Sequence, residues 1–454
     1  MTQAEPTSGR RRTRWRTLWK PLAQYALFLA GGVVLLRMDP FGLTRLTKYY
    51  SQDLLAVAMA GCYPGAPEGP CVKDHRADTA VVLLRDGDLT AFKEPWPPRY
   101  GFHARVLRAI RANQPKAVVI DIVFEDVRDD PTISALADEL DRYRAAGIPV
   151  YAATFASDRP LRPEVGTRVT SVQVPKQIDP LDRVTRFYNL TSGPPPALTA
   201  AATVFRDLCG GCTGDAGCGA DVIRIYWANL PEESWNDQWL DCRRRPPFPW
   251  WIVQDRGSDF RENCPSTPAI PVRILLDASE EQDTEIESLL DDSVVFYGAF
   301  FHGAADSMHT PLHNDLPAVF LHAAALDNLV TLGPRTLGHS EPSVPLLDVS
   351  LPDFLMLVVI GGIFVVRRNS ERAEAGWQAL LRRVRSRVGR MLLIAFGSQI
   401  GMLVLLVGGA AFLACQLGAA QWVLGLNFLF AVTWTEVLDV TEKLFEAAEE
   451  FEAE

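Results

Sequence analysis

The chain has 454 residues, with 45 Lys/Arg against 55 Asp/Glu and a net charge of −10. That mild total hides a segregation: residues 10–20 carry six basic groups and no acid, residues 367–390 carry eight arginines against two glutamates, and residues 39–350 carry 29 Lys/Arg against 43 Asp/Glu. An acidic central segment argues against nucleic acid as its partner, because phosphate binding needs a basic surface, and the arginine-rich stretches are better explained by a membrane.

In chain order, a basic N-terminus (1–20) precedes the uncharged run Pro21–Leu36, 16 residues long and flanked by Trp15, Trp19 and Arg37. A bilayer prefers about 20 residues, and interfacial tryptophans extend the run, so 21–37 is expected to be a transmembrane helix. A cleaved signal peptide is the alternative, but no A-x-A-like site follows. Phe41–Ala60 has helical spacing of its apolar residues. Thr79–Leu84 reads as a buried strand, Arg99–Ala112 as an amphipathic helix and Ala117–Phe124 as a second strand. Pro131–Ala146 reads as a second helix and Ile148–Ala153 as a third strand. Strands alternating with helices of this length predict parallel pairing. Residues 195–270, rich in Pro, Trp and Cys, read as an irregular insertion. Strand-like runs resume at Val272–Asp277 and Ser293–Ala299, followed by a helix over Pro317–Leu332. The expected architecture is one extracytoplasmic α/β domain with a mainly parallel sheet over 38–345, plus four transmembrane α-helices.

The remaining spans lie in the C-terminal third. Phe354–Val366, extended by Leu346–Leu351, gives a span over 346–366. Met391–Thr435 runs 45 residues without a charge. One helix of that length would be about 68 Å long, over twice a ~30 Å hydrocarbon core, so two spans are expected, 391–415 and 418–435. The positive-inside rule then puts the N-terminus and the basic loop 367–390 in the cytoplasm of an inner-membrane protein, with 38–345 outside. Parity returns the acidic tail 436–454 to the cytoplasm. That tail carries apolar residues at helical spacing and is either a continuation of the last span or a docking helix for a cytoplasmic partner.

Seven of the eight cysteines fall in the outside segment: Cys62, Cys71, Cys209, Cys212, Cys218, Cys242 and Cys264. Disulfides persist in that compartment. Cys62 and Cys71 bracket a Pro/Gly-rich loop and are the easiest pair to propose. Cys209, Cys212 and Cys218 with Cys242 or Cys264 could instead ligate zinc; disulfides are preferred. Seven is odd, which leaves one thiol free, paired with Cys415, or joining two copies of the chain as a homodimer.

Several polar groups are candidates for ligand binding. Asp86-Gly-Asp88-Leu-Thr90 follows a strand and formally fits the D-x-D-x-T loop of haloacid-dehalogenase-like phosphatases, although no lysine or second acidic pair completes that site. Carboxylates capping a strand-to-helix turn explain it equally. Asp121, Glu125, Asp126, Asp129 and Asp130 crowd a strand end and could bind a cation, or serve a helix start before Pro131. Arg99 and His103, one turn apart, could contact an anionic ligand or merely pair with these acids. His302, Asp306, His309 and His313 could ligate a metal or simply line a loop, and His322 lies on an apolar helix. No cofactor and no metal is expected.

Three blocks resemble the second type of CHASE domain, the extracellular sensory module of bacterial cyclases, histidine kinases and serine/threonine kinases. They are Ala80-Val-Val-Leu-Leu-Arg-Asp-Gly-Asp-Leu89, Trp96-Pro-Pro-Arg99 with His103-Ala104, and Val119-Ile-Asp-Ile-Val-Phe-Glu-Asp126. Val294-Val-Phe-Tyr-Gly298, Asp306, Thr310-Pro311 and Leu321-His-Ala-Ala-Ala-Leu-Asp-Asn328 continue the likeness, which covers roughly residues 45–335. Arg85 departs from it, standing where the family has a small or apolar residue. So does the absence of the family's usual output domain after the last span. The resemblance implies stimulus sensing and does not identify the signal produced. The leading expectation is a non-enzymatic receptor subunit that senses an extracytoplasmic ligand or protein and signals through the bilayer to a separate cytoplasmic effector. A cell-envelope scaffold is the alternative, and an ectophosphatase using Asp86 and Asp88 the third reading.

Overall fold

The computed structural model describes residues 9–39, 42–59, 79–154, 160–174, 178–180, 182–193, 196–210, 221–227, 239–240, 242, 264–301, 306–332, 343–344, 347–368, 409, 427, 429–430 and 433–434. The chain divides into two compact units, Met59–Ser340 and Met1–Ala58 with Glu341–Glu454.

The chain opens with helices α1 (Gly9–Met38) and α2 (Leu43–Met59). The larger unit then begins with β1 (Thr79–Arg85), α3 (Asp86–Phe92), α4 (Tyr100–Ala112) and β2 (Ala117–Asp121). There follow α5 (Ile133–Ala145), β3 (Val150–Thr154), the single turn α6 (Pro163–Gly166) and β4 (Thr170–Gln173). Short strands β5 (Phe187–Asn189), β6 (Thr191–Ser192), β7 (Ala197–Leu198) and β8 (Val222–Arg224) surround α7 (Ala200–Cys209). The unit closes with β9 (Ala269–Pro271), α8 (Val272–Leu276), α9 (Glu280–Leu290), β10 (Val294–Phe300), β11 (Ser307–Met308), β12 (Leu316–Pro317) and α10 (Val319–Leu332).

Six strands form one sheet in the order β4-β3-β2-β10-β1-β9, and every pair in it is parallel. The last strand in sequence therefore enters the middle: Val295 lies opposite both Ala80 of β1 and Val118 of β2. β1 is buried at six of its seven positions, as a parallel strand covered on both faces must be. Because side chains alternate, Val82, Leu84, Val118, Ile120 and Tyr297 share the core under α4, α5, α8 and α9. The opposite face meets α10, which packs on β1, β10 and α7. Gly298 permits that approach, since a Cβ there would lie 2.6 Å from the Val319 Cβ. Between α4 and α5, the fully buried Glu139 is held by Arg111 at 2.7 Å, Arg142 at 2.9 Å and Arg108 at 3.5 Å.

The predicted α/β rhythm and parallel sheet are present, with three corrections. The run at Val272–Asp277 is a helix, not a strand, and pairing stops at Pro271, opposite Leu83. Proline has no N–H for a further ladder bond and is tolerated because β9 is an edge strand. The segment 195–270 is not wholly irregular: β7, α7 and β8 fall inside it, and β9 begins there. The C-terminal apolar helix begins at Leu351 instead of 346, because β13 (Ser343–Val344) and β14 (Val349–Ser350) form an antiparallel hairpin ahead of α11 (Leu351–Arg368).

In the smaller unit, α1 packs on α11 through small residues. A Cβ at Gly361 would lie 2.5 Å from the Phe28 ring, and one at Gly32 would lie 3.0 Å from Leu357. Tyr25 donates its hydroxyl proton to the Val358 carbonyl at 3.0 Å, Trp434 donates to the Phe28 carbonyl at 3.2 Å, and Asn427 donates to the Thr44 carbonyl at 3.1 Å. Close helix contact at glycines with interhelical hydrogen bonds is how helices associate in lipid. Among the described residues no helix is long and apolar enough to cross a membrane. The expected span 21–37 falls within α1 and most of 346–366 within α11, whereas 391–415 and 418–435 lie almost wholly outside the described residues.

Gly298→Ala should overpack the β10–α10 contact and destabilise the protein by about 1–3 kcal/mol. Denaturant unfolding of the full chain, with the pair Gly298→Ala/Val319→Ala recovering part of the loss, checks this.

Candidate functional site

At the carboxyl edge of the three central strands the fold leaves a cavity of about 240 Å³. Its floor comes from Leu84 at the end of β1, Ala299 of β10 with Phe301 beyond, and Ile122–Phe124 after β2. Open parallel sheets place ligand sites at this edge, where neighbouring connections diverge to either side; here β10 separates β1 from β2. The segment Trp96–Pro98, with a cis Trp96–Pro97 bond, forms one wall and leads into α4, which supplies Tyr100 and His103. The Trp96 and Phe301 rings meet edge-on at 4.2 Å.

His103 is the buried imidazole of the lining. It is 2% exposed, its ring stands against Phe124 at 5.3 Å, and Nδ1 lies 2.9 Å from the Tyr297 hydroxyl. Burial, reinforced by the nearby Arg128 charge and opposed by Asp130, pulls its pKa down to about 3, so the ring is neutral. The Tyr297 hydroxyl is fully buried and makes this one hydrogen bond among the described residues. An unsatisfied phenol proton there would be costly, so the phenol donates to Nδ1 and the histidine proton sits on Nε2. Burial, and secondarily the Asp88 charge, pushes the Tyr297 phenol far above its ordinary range, which keeps that proton in place.

The remaining polar lining is Arg128 and Asp126. Arg128 donates to the Pro98 carbonyl at 3.0 Å and lies 4.3 Å over the Tyr100 ring. Asp126 is exposed, and its main-chain carbonyl accepts from the Tyr100 hydroxyl at 3.2 Å. Asp130 sits behind them and organises the start of α4. It accepts from the Tyr100 N–H at 2.7 Å and from the Thr132 N–H and hydroxyl at 2.9 and 2.6 Å. Burial pushes the Asp130 carboxyl up, but these bonds and Arg128 outweigh it and hold it below the usual carboxylate range.

Of the residues singled out from sequence, His103 and Asp126 therefore share the cavity. Arg99 does not line it and donates from Nε and Nη2 to the Glu94 carboxylate, at 3.0 and 3.1 Å. Asp88 is buried and caps the β1–α3 turn. It accepts from the Arg85 N–H at 2.7 Å and the Arg273 N–H at 3.3 Å, and burial raises its pKa against both bonds. Asp86 is exposed on the first residue of α3. Asp121 and His322 belong to the other face of the sheet. His322 Nε2 stands 3.9 Å from Asp121, and Nδ1 stands 3.0 Å from the Tyr188 hydroxyl. The acids expected as a cluster disperse further: Glu125 accepts from the Thr154 hydroxyl at 2.8 Å. His313 bonds Thr310 at 3.1 Å, and the Asp306 carbonyl accepts from the Ala318 N–H at 3.0 Å. Among the described residues no group of acids, histidines and cysteines is arranged to hold a metal ion.

Cys242 and Cys264 form a disulfide, which removes both as zinc ligands, and Cys209 is also disulfide-bonded. Cys62, Cys71, Cys212 and Cys218 lie outside the described residues. Sequence reasoning missed Tyr100, Phe124, Arg128 and Phe301 as cavity residues. Trp96 and Tyr297 stood inside the quoted blocks without being recognised as parts of a site.

The profile of the CHASE2 domain family matches residues 28–366. No curated protein and no solved structure matches the chain.

The pH dependence of stability tests the neutral histidine. The unfolded chain takes up a proton at His103 near pH 6.5, while the folded one resists to about pH 3. Stability therefore falls as pH drops from 6.5 towards 3. Between pH 7 and 5 the wild type should lose about 2 kcal/mol more than His103→Gln. Unfolding free energies of the full chain at both pH values decide it; parallel losses would contradict the assignment.

Proposed function

The chain belongs to the CHASE2 domain family, whose members are extracytoplasmic sensory domains, and on that premise we propose that it is a bacterial membrane receptor subunit. The α/β unit faces the outside, detects a stimulus in the carboxyl-edge cavity and signals through membrane helices to a separate cytoplasmic effector. The observation that carries this reading is the extent of the family match, residues 28–366, which takes in the whole sheet, α1 from Phe28 onward and α11 as far as Val366. The disulfide Cys242–Cys264 supports an oxidising compartment for the larger unit. Four spans, at 21–37, 346–366, 391–415 and 418–435, satisfy the positive-inside rule with both arginine-rich stretches inside.

The cavity supports sensing over turnover. Its histidine is held neutral with Nδ1 occupied, and the Asp88 carboxylate of the phosphatase-like loop is taken up by two main-chain N–H groups. Signal transfer then requires two arrangements of the protein with different affinity for the ligand. The arginine loop 367–390 or the acidic tail 436–454 offers the docking site for the effector, and the bilayer and a second copy of the chain complete the proposed partners.

An impermeant maleimide tests the topology. In spheroplasts it should label Glu281→Cys without permeabilisation and Arg385→Cys only after it; the reverse pattern would overturn the proposed orientation. In-cell crosslinking of the full chain should recover a kinase, protease or other effector that is lost on truncation after Thr435. Equal recovery of envelope proteins by both forms would favour a scaffold.

A further inference from the structure

The cavity's walls and its polar atoms together select a ligand chemistry. Trp96, Tyr100, Phe124 and Phe301 make the surround aromatic, which suits one planar ring. Its volume of about 240 Å³ falls below the ~300–1,000 Å³ of pockets for drug-sized molecules, so the occupant is small. The inner polar atoms are donors. His103 presents Nε2–H, the tautomer set by Tyr297, and Nε2 has no hydrogen-bond partner among the described residues. Arg128 commits one nitrogen to the Pro98 carbonyl, and its other N–H groups make no hydrogen bond among the described residues.

An aromatic surround also suits a cation, but Arg128 already covers the Tyr100 ring at 4.3 Å and would repel one. The lining holds one carboxylate, Asp126, which is exposed and therefore screened by solvent. Asp130 is consumed by Tyr100 and Thr132. Two donors, one of them a guanidinium suited to gripping a carboxylate, thus face an aromatic slot.

We infer that the carboxyl-edge cavity binds a small aromatic or heteroaromatic carboxylate. Its ring lies among Trp96, Phe124 and Phe301, and its carboxylate accepts from Arg128 and His103. This ligand class rests on the reading of the cavity as the receptor's binding site, and the test separates the two.

Full-length protein in lipid nanodiscs is titrated with benzoate, benzyl alcohol, benzylamine and acetate, with binding read by ligand-observed NMR. Benzoate binds best, and benzylamine and acetate fail. Arg128→Gln weakens benzoate about 10- to 100-fold and leaves benzyl alcohol unchanged. Trp96→Ala, at a position 64% exposed, weakens every ring compound. Equal binding of benzyl alcohol and benzoate, or preference for benzylamine, overturns the carboxylate class and keeps the cavity as a binding site. Benzoate binding that survives both substitutions places the ligand elsewhere and overturns the assignment, as does the failure of every ring compound to bind, which also removes the cavity from the proposed function.

Discussion

The insertion of β10 between β1 and β2 is the constraint on which the rest of the larger unit depends. Val294–Phe300 pairs with β1 over seven residues and with β2 over five, so the sheet is complete only when a strand some 170 residues downstream of β2 has arrived. The same strand brings Tyr297 to His103 on one face and Gly298 to Val319 on the other. Its end, Ala299 with Phe301 beyond, lines the cavity. A parallel strand in this position is buried on both faces, and β10 has six buried residues of seven.

The two faces handle buried polarity in the same way. Each places a histidine against a tyrosine hydroxyl: His103 with Tyr297 at 2.9 Å, and His322 with Tyr188 at 3.0 Å. Buried imidazoles need such a partner because an unmet hydrogen bond in the core is expensive. The surroundings then differ. His322 looks across 3.9 Å to Asp121, whereas His103 has Arg128 near it and the cavity beside it. That difference, more than the histidines themselves, is why the α4 face is the candidate binding face.

Much of the fold was legible because it rests on local signals. Runs such as Ala80–Leu84 and Ala117–Ile120 are apolar without interruption, and the helices between them keep a 3.6-residue period. The strand order was not legible, because nothing local to Val294–Phe300 says it pairs with β1 and β2 instead of an edge. Val272–Leu276 misled for a related reason: a short apolar run fits a buried strand or a helix turn equally, and Pro271 decides between them only once β9 is known to be an edge. In the site, His103 is legible only beside Arg99 and Asp126 only within an acidic run, and the structure separates each from those neighbours. The aromatic walls carry no local signal, since Phe124 and Tyr100 are buried like any core residue; only the three-dimensional gap between strand ends distinguishes them. Asp88 shows the converse, a motif-like carboxylate whose partners are main-chain N–H groups of a turn.

The central claim, that β10 closes the sheet and forms one cooperative core with the strands flanking the cavity, is tested most directly by native-state amide hydrogen exchange on the full-length chain. Amides of Val294–Phe300 should exchange only together with those of Thr79–Arg85 and Ala117–Asp121, at the slowest rate in the larger unit, because β10 is paired along its length with β1 and β2. Exchange of Val294–Phe300 ahead of the edge strand Thr170–Gln173 would contradict the account.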